Sequence, residues 1–368
     1  MVSKSSIHAQ LISKDPISVE WWIEQNQKTL MGAGQLLEGN FSTRPHSEPS
    51  QFFDLASLSK PILTSTLLME TLVENFGGDW GKFLNLNLRN EIPELSLVPD
   101  TIDLRLRSLW EHRSGLPAHF SLAGDLNLRQ RFAGSRSTMW GRLVSRICEE
   151  LRHRKTQSLN TEYSDVGFWI LGLWLERKHA MTLSQLWTRW KLKFSINEFD
   201  LVFESQINDS IKARLNPSES RHPLGEINDD NGFWMGSESP HAGLFGSVEG
   251  VAQWLSAVKK WAIRNPDLKF WINRETSSPN RFWLGWDTAS GELDSQAGSL
   301  YAPGDCLGHL GWTGTAFWWS QERDTSGILL TNRVFPQHTI ESQKWIRDFR
   351  KQFFSDLWQS KIEARWLP

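Results

Sequence analysis

The spacing of apolar residues changes character twice along this chain, and that alternation limits the folds open to it. Between Leu30 and Phe53, a mixed stretch broken by Gly32, Gly34, Gly39 and Asn40 reads as short strands joined by turns. From Ser57 the spacing turns helical: Pro61 suits a first helical turn, and Ile62, Leu63, Leu67, Leu68 and Leu72 form one stripe. Helical spacing continues through Trp140, Val144, Ile147, Cys148 and Leu151, and again through Val166, Trp169, Ile170, Leu173 and Trp174. Both segments end in basic residues, as a helix C-terminus favours, so Arg152, His153, Arg154 and Lys155 read as a solvated helix end rather than a phosphate site. Residues 205–243 are polar and read as a long loop of the kind that often carries function. Strand signals return over Leu307–Ser320 and Gly327–Asn332, and an amphipathic helix carrying Ile346, Phe349, Phe353 and Leu357 closes the chain. The fold class expected is α/β in the α+β sense. An antiparallel sheet flanked by helices is built from both chain ends (1–60 and 245–368), with a mainly helical domain (61–244) inserted between them.

Composition removes several functions. The 368 residues suffice for two or three domains, and 40 basic against 42 acidic side chains leave no field to draw nucleic acid or an anionic membrane. Cys148 and Cys306 lie far apart and read as free thiols in a reducing compartment. The first thirty residues hold charges and no apolar signal-peptide core, and no later run of about 18 apolar residues offers a membrane span. A cytoplasmic location is expected, or a periplasmic one if the true start lies elsewhere.

The sharpest local signal is Ser57-Leu58-Ser59-Lys60. A lysine three residues after a serine on one helix lies on the same face, in reach of the hydroxyl it would activate. Spacing alone is weak evidence, because Ser256 and Lys259 repeat it in a helix whose apolar stripe is Val251, Trp254, Leu255, Val258 and Trp261. There Ser256, Lys259 and Lys260 fall on the polar face. Ser57 instead opens its helix, where unpaired N–H donors await a developing oxyanion, and apolar neighbours around Lys60 would favour its neutral amine. Only two tyrosines occur beside 20 Phe and 21 Trp. Tyr163 stands just before the helix that Ser164 or Asp165 would cap, placed to pass a proton from nucleophile to leaving group. Tyr301 reads as structural.

Four segments, in order, resemble the serine β-lactamase-like family of class C β-lactamases, D-alanyl-D-alanine carboxypeptidases and related esterases. They are Ser57-Leu58-Ser59-Lys60-Pro61, Leu109-Trp110-Glu111-His112-Arg113-Ser114-Gly115-Leu116-Pro117, Tyr163-Ser164-Asp165, and Gly308-His309-Leu310-Gly311-Trp312-Thr313-Gly314. Secondary matches are His241–Gly246, Leu284–Asp287 and Leu330–Val334. The resemblance implies a β-lactamase/transpeptidase-like fold, with Ser57 acylated, Lys60 as base or proton relay, and Tyr163 serving the leaving group and then water. It implies an oxyanion hole from the backbone N–H groups of Ser57 and Trp312, the latter on an edge strand after Gly311. Asp165, His309, Gly311 and Trp312 would meet substrate, with His112 and Ser114 supporting.

Two departures redirect the substrate. Asp165 replaces an Asn that can donate to a substrate carbonyl, and its charge could instead hold Lys60 protonated. His309 replaces a Lys, so its attraction for a substrate carboxylate would fade above about pH 6.5 if the imidazole is unperturbed. Both favour an esterase or D-amino-acid peptidase over a β-lactamase; a catalytically silent member that binds peptidoglycan-like ligands is the further alternative. A small ester, amide or peptide is the expected partner, with no nucleic acid. No cofactor is called for, and no metal, because His112, His119 and His241 lack a ligand-pair spacing. Among the tryptophans, mostly core, Trp234, Trp286, Trp312 and Trp318 lie in or beside motif segments as candidates to line an acyl pocket.

Overall fold

The computed structural model describes residues 16–44, 49–122, 135–152, 161–197, 200–274, 280–362 and 366. Residues 153–155 of the basic cluster lie outside them. Eight strands form one antiparallel sheet: β1 (Ile17–Gln25), β2 (Lys28–Leu37), β3 (Asn40–Arg44), β7 (Phe282–Trp283), β8 (Trp286–Thr288), β9 (Leu307–Leu310), β10 (Ala316–Ser320) and β11 (Thr325–Thr331). Their order is β3-β2-β1-β11-β10-β9-β8-β7, so β1, from one end of the chain, pairs with β11 from the other in the register Val19↔Thr331. A second sheet joins β4 (Phe53–Asp54), β6 (Leu244–Gly246) and β5 (Val202–Phe203) in that order.

Alternation along the strands explains why the large sheet is covered on both faces. On β1, Ile17, Val19, Trp21 and Ile23 enter one core while Trp22 enters the other; on β10, Ala316 and Trp318 face the first and Phe317 and Trp319 the second. The main helices are α1 (Thr66–Phe76), α2 (Arg136–Leu151), α3 (Asp165–His179), α4 (Leu183–Lys193), α5 (Val248–Arg264) and α6 (Ile340–Trp358). Helix α6 closes the first core through Ile346, Phe349, Phe353 and Leu357, the stripe read from the sequence. α5 closes the second through Val251, Trp254, Leu255 and Val258. Ser135, Ser164, Thr182, Ser247 and Thr339 cap α2 to α6, each side chain accepting an N–H of the first turn.

Three local readings need correction. β1 was hidden because Trp21 and Trp22 are both apolar, one for each covered face, and because Glu20 reads as a surface charge yet is fully buried. Residues 205–243 are not one loop: they hold short helices at Asp209–Lys212 and Asp230–Trp234. Nor is β9 an edge strand, since it pairs with β10 on one side and, through Leu307 and Gly308, with β8 on the other. The β8–β9 ladder ends at the Asp287↔Gly308 pair, short of His309 and Leu310.

Candidate active site

The nucleophile candidate stands on a constrained turn. β4 ends at Asp54, whose carboxylate accepts the N–H groups of Ala56 at 2.8 Å and Asn228 at 2.7 Å. Ala56 takes a left-handed φ of 46°, an uncommon conformation for a residue with a side chain. The chain then makes a tight turn over Ala56–Leu58 and a wide π-helical turn over Lys60–Ser65 before α1. Burial raises the Asp54 carboxyl to about 6.

A second segment is stitched to this turn. Thr313 Oγ1 donates to the Asp54 carbonyl at 2.6 Å and Thr315 Oγ1 to that of Leu55 at 3.1 Å. Gly311 allows the approach: a Cβ there would lie 2.1 Å from Thr315 Oγ1 and 2.8 Å from the Leu55 carbonyl. From α6, the fully buried Arg350 guanidinium donates to the carbonyls of Gly311 (2.6 Å), Thr315 (2.7 Å) and Gly314 (3.1 Å). Among the described residues, neither the Ser57 nor the Trp312 backbone N–H has an acceptor. Both residues line one cavity of about 310 Å³.

Lys60 sits behind the nucleophile, fully buried, with Nζ 3.0 Å from Ser57 Oγ. It also meets Asp165 Oδ1 at 2.7 Å and the His241 carbonyl at 3.3 Å. Burial alone would push its pKa down, but the Asp165 carboxylate and then the Tyr163 phenol outweigh it and leave the amine above the ordinary lysine value. Of the two readings of Lys60, a neutral amine favoured by apolar neighbours and an ammonium held by Asp165, this direction supports the second. Apolar neighbours were visible locally, while the carboxylate that decides the charge comes from α3, more than a hundred residues on.

The Lys60 nitrogen also lies 4.6 Å from the centre of the Tyr163 ring, so its charge acts directly on the phenol. Burial raises the Tyr163 pKa; Lys60 opposes this and Asp165 adds to it. His112 holds this end of α3: its ring packs on Tyr163 with centroids 4.5 Å apart, and its Nδ1 accepts the Ser164 N–H at 2.9 Å. Burial and then Lys60 keep His112 neutral, with a pKa well below the ordinary histidine value.

His309 lines the cavity, donating Nδ1–H to its neighbour Leu310's carbonyl at 2.8 Å. Burial, reinforced by Lys60, lowers its pKa to about 3. No attraction for a carboxylate thus survives near pH 6.5 at this position. Trp312, 49% exposed, is the one of the four candidate tryptophans that lines the cavity; Trp286 and Trp318 are core residues, and Trp234 packs against the core. Ser114 stays out of it, ordering its own loop through the Leu116 N–H. Tyr301 is exposed on a short turn far along the chain, and Cys148 and Cys306 are free and buried.

Asp165, Asp229 and His241 bring ligand-type atoms within 4.8 Å of one another. An ion-pair network explains them. Trp169 Nε1–H donates to His241 Nδ1 at 3.0 Å, which leaves Nε2–H to face Asp229 Oδ1 at 3.0 Å. Lys60 holds Asp165.

The sequence reading missed Arg350, Thr313, Thr315 and Asp54. Thr313 lies inside the Gly308–Gly314 motif segment but was given no role, and the others have no local signal: Arg350 reads as one more charge on an amphipathic helix, and the carbonyls it holds are 35 to 39 residues away.

The antiparallel sheet with helices covering both faces is the frame of the serine β-lactamase fold. A family model described as Beta-lactamase matches residues 21–349, and the chain belongs to that family. A beta-lactamase from Sulfitobacter sp. EE-36 superposes with a TM-score of 0.61 at 17% identity, covering 98% of this chain and 95% of that one. EstCE1, a hydrolase with promiscuous acyltransferase activity, gives 0.59 at 15% identity, covering 95% and 96%. A D-stereospecific amidohydrolase from Streptomyces sp. gives 0.58 at 12% identity, covering 90% and 94%. No curated protein matches the sequence. Among the described residues, no helix is long and apolar enough to cross a membrane.

Proposed function

We propose that this chain is a serine hydrolase that forms an acyl-enzyme on Ser57, acting as an esterase or D-amino-acid peptidase rather than a β-lactamase. The observation that carries the reading is the 3.0 Å contact between Ser57 Oγ and Lys60 Nζ at a cavity bordered by two unpaired backbone N–H groups. The named activities of EstCE1 and of the Streptomyces amidohydrolase support the choice of ester or D-amino-acyl substrates. The neutral His309 supports it too, because the charge that would draw a penicillin's carboxylate to that position is gone.

The charge on Lys60 orders the steps. As an ammonium it donates to Ser57 Oγ and cannot accept that proton; it stabilises the oxygen as negative charge develops. The acceptor is the Tyr163 phenolate: burial raises the phenol's pKa, the Lys60 charge opposes that rise, and the phenolate forms toward alkaline pH. Ser57 Oγ attacks the substrate carbonyl, its proton passes to Tyr163, and the oxyanion meets the N–H groups of Ser57 and Trp312. Tyr163 then protonates the leaving group and repeats the exchange with water. A fluorophosphonate probe should label wild type and not Ser57→Ala. Labelling of both to the same extent, or of neither, rejects the reading.

A further inference from the structure

Cations and carboxylates around the cavity do not balance. Arg281 is matched by Asp287 through two contacts of 2.8 Å, Arg347 by Asp294, and Lys60 by Asp165. Arg333 and Arg350, which also line the cavity, have no carboxylate within ion-pair distance among the described residues. Arg350 is spent on three carbonyls and Gln296 Oε1.

Arg333 is not spent. It is 3% exposed, its stem lies against Gly314, and its guanidinium stacks 4.6 Å from the centre of the Trp312 ring. Its Nη1 is buried without a hydrogen-bond partner among the described residues. Glu219, the carboxylate that influences it, is already held by Arg221 at 2.6 Å. Burial lowers the Arg333 pKa to about 10, which leaves it charged at neutral pH. An unpaired charge of this kind is costly to keep, and a guanidinium presents parallel donors that suit a planar, two-oxygen anion.

We infer that Arg333, braced on Trp312, selects substrates bearing a carboxylate, binding it from the Trp312 side of the cavity rather than at the His309 position. This rests on the hydrolase reading and supplies its substrate class: an ester or amide with a second, anionic end. The cation has moved from β9 to the segment after β11, so the carboxylate is expected in a different place on the substrate from that of a penicillin.

The test compares p-nitrophenyl butyrate with mono-p-nitrophenyl glutarate, alike in the reacting ester and different at the far end. Wild type should favour the glutarate ester in kcat/KM by about tenfold or more, consistent with one charge-assisted contact. Arg333→Met should lower that ratio at least tenfold, mainly through KM, and Arg333→Lys should restore part of it. An unchanged ratio in Arg333→Met overturns the proposal. Calorimetric titration of glutarate into Ser57→Ala and into Ser57→Ala with Arg333→Met separates the two readings. If wild type cleaves neither ester, the esterase reading fails, and glutarate binding that weakens at least tenfold without Arg333 still supports the anion site. Equal binding in both proteins, or none in either, overturns it.

Discussion

Two serine–lysine pairs with the same three-residue spacing sit in this chain and do different things. At Ser57 and Lys60, the amine turns inward to the hydroxyl, held by Asp165 and by the His241 carbonyl. At Ser256 and Lys259, the amine turns to the sheet and pairs with Glu24 Oε2 of β1 at 2.7 Å. Among the described residues no hydrogen bond joins Lys259 to Ser256. Lys259 is also not on a solvated face, as the helical pattern suggests, but buried against the sheet. The wide turn at Lys60–Ser65 and the regular helix at α5 aim the same side chain differently. Cavity size does not distinguish them either, because Ser256 lines a cavity of about 1070 Å³, larger than the one at Ser57. What separates the pairs is the set of groups each nitrogen meets.

The widest separation comes from removing each hydroxyl. Ser57→Ala should lower ester turnover by about a thousandfold or more, while Ser256→Ala should stay within twofold of wild type in kcat/KM. A comparable loss in both would erase the distinction. Next is Tyr163→Phe, expected to lower kcat about a hundredfold or more at unchanged fold, since it removes the proton carrier and keeps the ring that packs on His112. Retention of more than half the wild-type rate would remove Tyr163 from the mechanism.

The Arg350 clamp gives a smaller effect. Arg350→Met frees the carbonyls of Gly311, Gly314 and Thr315, and kcat should fall about tenfold or more as the Trp312 N–H loses its position; stopped-flow acylation rates would show it. An acylation rate equal to wild type would mean that the segment holds itself.

The subtlest test is the pH profile of Asp165→Asn. Asp165 raises the pKa of Lys60 and of Tyr163, so its loss lowers both. Activity should rise toward alkaline pH in wild type as the phenolate forms, and the rising limb should move to lower pH in the variant. A limb that stays in place, or moves upward, would separate Asp165 from the pair. Stability follows the same linkage. Because the folded pKa of Lys60 is raised, its contribution is complete below the unfolded value near 10.4 and fades only as pH climbs through the higher folded value.

Much of this was legible in the residues and some was not, for physical reasons. Strands β9 to β11 announce themselves by aromatic and β-branched residues punctuated by glycine, although β10 and β11 are buried on both faces, and helix α6 does so by an apolar stripe at helical spacing. β1 did not, because burial on both faces removes alternation and hides Glu20 among apparent surface charges. At the site, Ser57, Tyr163, His309, Gly311 and Trp312 line one cavity, with Lys60 behind Ser57. The charge states were readable only in part. Asp165, which raises the Lys60 pKa, was visible as a departure from the motif, whereas the burial that lowers the His309 pKa was not. Arg350 carried no local signal, and Arg333, though inside the Leu330–Val334 match, meets Trp312 only in the folded chain.

The most direct measurement is intact-mass spectrometry with peptide mapping after brief exposure to a panel of p-nitrophenyl esters, penicillins and acyl-D-alanyl-D-alanine peptides. One acyl increment, confined to the peptide containing Ser57 and absent from Ser57→Ala, is the expected result, with an ester or D-amino-acyl donor giving the largest yield. An increment on the Ser256 peptide, one that persists in Ser57→Ala, or none from any donor would contradict the assignment of Ser57 as the acylated nucleophile.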